Sequence, residues 1–160
     1  MQLTRLTKAL FVFVGTGFFM FFFAEAILWM QPLVHNLLLD WFNNPPASMP
    51  YEMHALVLKK LFINQGFYNL FFAIGGIGGL LQLKKNRIVG YGLMLRVCFA
   101  GIGAGLVLAI TSNAYLLASL QCLPAAIAFY TIYPLFRQAS GNKNQNQLFN
   151  ILCQWKKNLL

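Results

Sequence analysis

The sequence predicts an all-α, polytopic membrane protein: a bundle of four transmembrane helices with the N- and C-termini both cytoplasmic. Three observations carry this. Only 9% of the 160 residues are charged, against roughly 25% in an average soluble domain. Four apolar stretches reach the ~17 to 25 residues that a spanning helix needs. The basic residues that give the net charge of +9 lie in short clusters beside those stretches, the pattern of membrane flanks and not of a nucleic-acid stripe.

The first span is expected over residues 9–30, a Phe-rich run after Arg5 and Lys8 that Gln31-Pro32 stops, because proline brings no amide donor. A signal peptide is the rival reading, with Ala24-Glu25-Ala26 as the small-x-small site. The apolar run ahead of it exceeds the usual ~7 to 15 residues, and Trp29 follows where a retained helix would meet the interface. The run is therefore read as a retained span.

Residues 32–53, with His35, Asp40, Asn43-Asn44-Pro45-Pro46 and Glu52, are too polar and proline-rich to span and form an external loop. Within it, residues 33–42 suit a short interfacial helix. The second span covers 54–82 and is closed by Lys84, Lys85 and Arg87; the third covers 88–110; the fourth covers 114–136 after a turn so short that the two are antiparallel neighbours. Residues 1–136 thus make the transmembrane domain. Residues 137–160 make a cytoplasmic tail in which Leu148, Ile151, Leu152, Trp155 and Leu159 recur at the spacing of an interfacial amphipathic helix. Lys and Arg are retained on the cytoplasmic side, and Arg5, Lys8, Lys84, Lys85, Arg87, Arg137, Lys143, Lys156 and Lys157 share one side of this topology while Lys59 and Lys60 take the other.

Several chemistries find no support. Cys98, Cys122 and Cys153 have neither metal-ligand nor redox spacing. His35 and His54 stand in the external segment in no zinc pattern and read as surface histidines. The glycine clusters at Gly75, Gly76, Gly78 and Gly79 and at Gly101, Gly103 and Gly105 follow no strand, so they suit close helix approach and not a nucleotide loop. No metal and no cofactor is expected.

Information lies in polar groups at membrane depth. An ionisable side chain near the bilayer centre costs about 2.5 to 3.5 kcal/mol on insertion scales, and so usually faces protein or water. Glu25 and Arg96 sit that deep. Asn64, Gln65, Tyr68 and Asn69 on the second span, with Gln121 on the fourth, stand at similar depth. Gln65 and Asn69 are one face-repeat apart. Small residues mark helix contacts; Gly92, Ala100 and Gly103 beside Arg96, and Ala114, Ala118, Ala125 and Ala128 beside Gln121, predict that both polar residues look into the bundle.

Four segments resemble a known family: Phe23-Ala24-Glu25-Ala26-Ile27-Leu28-Trp29, Asn64-Gln65-Gly66-Phe67-Tyr68-Asn69, Ala100-Gly101, and Gln121-Cys122-Leu123-Pro124-Ala125-Ala126. The chain looks like domain-of-unknown-function family 1304 over about residues 15–136, the Asn-Gln-Gly-x-Tyr-Asn run being the most specific piece. The resemblance implies a small four-helix protein, mostly bacterial, and supports keeping the first span with its Glu25 and Trp29. It implies no biochemical activity.

The leading expectation is binding or transport of a small lipophilic or amphiphilic compound in a polar intramembrane pocket of the inner membrane, built from Glu25, Asn64, Gln65, Tyr68, Asn69, Arg96 and Gln121. One alternative is a membrane enzyme acting on a lipid-like substrate with Glu25 as general acid or base. Another is a structural subunit that assembles, as a homo-oligomer for instance, through its Gly-rich faces. The lipid bilayer is the expected partner, with no nucleic acid.

Overall fold

The computed structural model describes residues 3–43, 48–112 and 114–158, with side chains at 3–41, 48–112 and 114–141. Every regular element among them is helical. Helix α1 (Arg5–Phe22) runs straight into a π-helical turn (Phe23–Ile27), α2 (Pro32–Leu38) into a second one (Leu39–Asn43), and three long helices follow: α3 (Tyr51–Gln82), α4 (Arg87–Thr111) and α5 (Tyr115–Asn158).

Local chemistry sets the ends. Thr4 caps α1 by accepting from the Thr7 amide at 3.1 Å, and Asn86 caps α4 by accepting from the Val89 amide at 3.3 Å, each satisfying a donor the first turn leaves free. Pro32 starts α2, where its missing N–H costs nothing. The α4–α5 connection is as tight as expected: Ser112 Oγ takes the Ala114 amide at 3.2 Å and donates to the Leu108 carbonyl at 2.8 Å.

The long helices form a closed ring in which α1 packs on α3, α3 on α4, α4 on α5 and α5 on α1. Each contributes a buried stripe at seven-residue repeats, the period of helices that wrap around one another. Thr7, Phe11, Val14 and Phe18 come from α1; Ala73 and Gly76 from α3; Met94, Val97, Cys98 and Gly101 from α4; Ala118, Ala125, Ala128 and Ile132 from α5. Outward positions remain apolar, among them Leu106, Val107, Ile110, Leu116 and Tyr130, as a lipid-facing surface requires.

Among the described residues, three helices are long and apolar enough to cross a membrane: Arg5–Ile27, Arg87–Thr111 and Tyr115–Gly141. This is a helical membrane protein. The α3 helix, 32 residues long, carries Asn64, Gln65 and Asn69 in its middle, which lower its mean hydropathy. The backbone of α5 stays helical from the fourth expected span into the expected tail, through Asn158. The amphipathic face assigned to residues 148–159 concerns side chains outside the described residues. Residues 33–42, expected as a short helix, lie within α2 and its π turn.

Candidate functional site: a carboxylate-lined cavity

The site begins with the irregularity in α1. The Leu28 amide donates to the Phe23 carbonyl at 2.8 Å, five residues back, inserting the extra residue that defines a π turn; such turns are frequent at functional sites. Glu25 lies inside it and is 5% exposed. The facing helix comes in close because position 66 is glycine. A Cβ there would stand 2.8 Å from both the Ala26 amide nitrogen and the Ala26 Cβ, and 3.2 Å from the Glu25 Cβ.

One turn further along α3, Asn69 Nδ2 donates to Glu25 Oε2 at 2.7 Å. Both residues are buried. Beside this pair is a cavity of about 240 Å³ lined by Phe21 and Glu25, Phe62, Gln65 and Asn69, Ala104 and Leu108, and Gln121. All four long segments contribute. Among the described residues the side-chain amides of Gln65 and Gln121 make no hydrogen bond, so their polar ends are open to a ligand.

Of the seven residues singled out in the sequence, the fold brings together Glu25, Gln65, Asn69 and Gln121. Asn64 is exposed and Tyr68 is 52% exposed; neither lines the cavity. They fall off the buried stripe of α3, which passes through Gly66, Asn69, Ala73 and Gly76; Gln65 is exposed and off that stripe as well, yet it lines the cavity.

Arg96 is corrected in direction. It is exposed on the outer side of α4. The face turned inward carries Met94, Val97, Cys98, Gly101 and Gly105 instead. A Cβ at Gly105 would lie 2.8 Å from the Ala118 carbonyl and from the Cys122 Cβ, whereas Gly103, taken as the marker of Arg96's face, has nothing within 4 Å. Glycine pattern alone does not fix rotation about a helix; backbone contact at Gly105 does. The same close approach occupies the glycine face of α3 inside the chain, since a Cβ at Gly79 would meet Met94 at 3.0 Å and the Gly90 carbonyl at 3.2 Å.

A second correction concerns His35, which is 2% exposed, with neither ring nitrogen hydrogen-bonded. It packs against Trp29, itself 1% exposed, whose Nε1 donates to the Ala55 carbonyl at 2.8 Å and whose ring stacks on Phe62 at 3.8 Å. Phe62 also lines the cavity. Phe62 is therefore a site residue that the sequence reading missed, and Trp29 is the buried ring that backs it. Trp29 follows Glu25 by one helical face-repeat, which was the available signal.

Residues 12–133 match the family described as a protein of unknown function, DUF1304. The chain belongs to the DUF1304 family. The matched segment contains every residue that lines the cavity. No curated protein and no solved structure matches this DUF1304 chain.

Proposed function

We propose that this DUF1304 protein crosses the inner membrane four times with both termini cytoplasmic, and that it binds or transports a small lipophilic or amphiphilic compound in the cavity beside Glu25. The charge bias supports the orientation: the flanking Lys and Arg of residues 1–8, 83–87 and 137–157 then share the cytoplasmic side. The observation that carries the binding reading is the convergence of Glu25, Gln65, Asn69 and Gln121 on one cavity with apolar walls. Apolar walls with a few convergent polar groups are the usual make-up of a small-molecule site.

The geometry favours this over a membrane enzyme, because Glu25 is the one lining residue able to exchange a proton; Gln65, Asn69 and Gln121 orient but do not titrate. It also weakens association through the Gly79 face, which is already packed against α4.

A screen of amphiphiles against the protein in lipid nanodiscs tests the reading. Compounds that raise the unfolding temperature of wild type should lose that effect in Ala104→Phe, which places a bulky ring at a position lining the cavity. Hits indifferent to Ala104→Phe would bind elsewhere and sink the proposal.

A further inference from the structure

Charge in the cavity is one-sided. Among the described residues Glu25 is its single ionisable group, and the remaining polar lining is the amides of Gln65, Asn69 and Gln121. Cations that could neutralise it are absent from the lining: Arg96 faces outward, and Lys59 and Lys60, earlier on α3, are exposed. Asn69 supplies the one hydrogen bond that Glu25 accepts among the described residues, on Oε2, which leaves Oε1 without a donor.

An ionised carboxylate removed from water is costly unless a charged, hydrogen-bonding partner meets it. An ammonium group is such a partner, with N–H donors for Oε1 and for amide oxygens. The carboxylate only accepts, so the Asn69 amide turns its NH₂ toward Glu25 and keeps its oxygen for a ligand. Phe21 and Phe62 bring aromatic rings to the same space, and ring faces attract cations. An anion would meet repulsion from Glu25. As for size, a ~150 Å³ apolar cavity holds benzene, so about 240 Å³ accommodates one ring with a short arm.

We propose that the cavity takes a small lipophilic organic cation, an ammonium group on a body of about one aromatic ring, anchored by Glu25 Oε1. This rests on the pocket reading above and adds the charge of the ligand.

Three probes of matched shape test it: phenethylammonium, 2-phenylethanol and phenylacetate, titrated calorimetrically into the full chain in zwitterionic-lipid nanodiscs at neutral pH. Phenethylammonium should saturate at one site and bind at least tenfold more tightly than the alcohol, with phenylacetate not binding. Glu25→Gln should erase the preference for the ammonium. Ala104→Phe, which leaves the Glu25–Asn69 bond in place, should abolish saturable binding, so the outcome does not hang on one variant's folding. If the alcohol binds as tightly as the ammonium and both are lost in Ala104→Phe, the pocket stands and the cation inference falls. If no probe saturates, or Ala104→Phe changes nothing, both fall.

Discussion

Asn69 Nδ2 and Glu25 Oε2 meet at 2.7 Å across a separation of 44 residues, and this bond ties the irregular end of α1 to the middle of α3. Glu25 stands seven residues after Phe18, on the stripe that Thr7, Phe11, Val14 and Phe18 begin. The π turn keeps the carboxylate on the inward face, and Gly66 lets Asn69 reach it. Hydrogen bonds to charged groups contribute about 1.5 to 3 kcal/mol. Glu25→Gln preserves an acceptor and should shift thermal stability little, whereas Asn69→Leu strips the carboxylate of its donor and should cost about that amount. Unfolding in detergent checks this, with a double-mutant cycle of Glu25→Ala and Asn69→Leu, each of which removes the bond; zero coupling between the two positions would mean the bond contributes nothing.

Gly66→Val should be more damaging than any change at the cavity mouth. The added carbons collide with the Ala26 backbone, and overpacking of this kind costs about 1 to 3 kcal/mol. The same variant should weaken ligand binding, because separating α1 from α3 displaces Glu25. A Gly66→Val protein as stable as wild type would show that the two helices do not approach so closely.

Trp29→Phe keeps a ring to stack on Phe62 but removes the Nε1 donor to the Ala55 carbonyl. The expected loss is about 0.5 to 1.5 kcal/mol, that of a typical internal hydrogen bond. Trp29→Ala should lose about 3 to 5 kcal/mol, since a large buried ring leaves a cavity. Chemical denaturation of the three proteins separates the contributions; equal losses would assign everything to the donor.

Arg96→Met should leave stability unchanged or raise it, because Arg96 is exposed on the outer side of α4 with no partner among the described residues. Its side chain leans toward the N-terminal end of α4, the cytoplasmic end in the proposed topology, where a long basic side chain snorkels to the headgroups. Strong destabilisation by Arg96→Met, measured beside Glu25→Gln, would place Arg96 in an internal contact instead.

Outside the spans, Tyr51 Oη donates to Asp40 Oδ1. That hydrogen bond, with burial and the negative charge of Asp40, raises the Tyr51 phenol above its ordinary value. The sign follows: the contact's contribution is complete below the unfolded value of ~10 and is lost as pH rises through the raised folded one. Ultraviolet titration should show one tyrosine transition moving to lower pH in Asp40→Asn. An unchanged titration curve would rule the contact out in solution.

The helices were legible because apolar run length and proline position are local properties. So were Glu25 and Asn69 as polar residues at depth, since expense in lipid depends on residue type and distance along one helix. Facing was not. Glycines suggested one rotation for α4 and the packing chose another, because Gly101 and Gly105 both fall on the inward side while Gly103 does not.

By itself, then, the sequence determined an all-helical membrane chain with a carboxylate and several amides at depth. Tertiary structure alone decided that Glu25 pairs with Asn69 and not with Arg96, that Gln65 and Gln121 join them while Asn64 and Tyr68 stay outside, and that His35 and Trp29 are buried beside the site. The physical reason is that rotation and depth of one helix against another are set by close backbone contacts such as Gly66 on Ala26 and Gly105 on Ala118. Those contacts join residues far apart in sequence, and no local pattern records them.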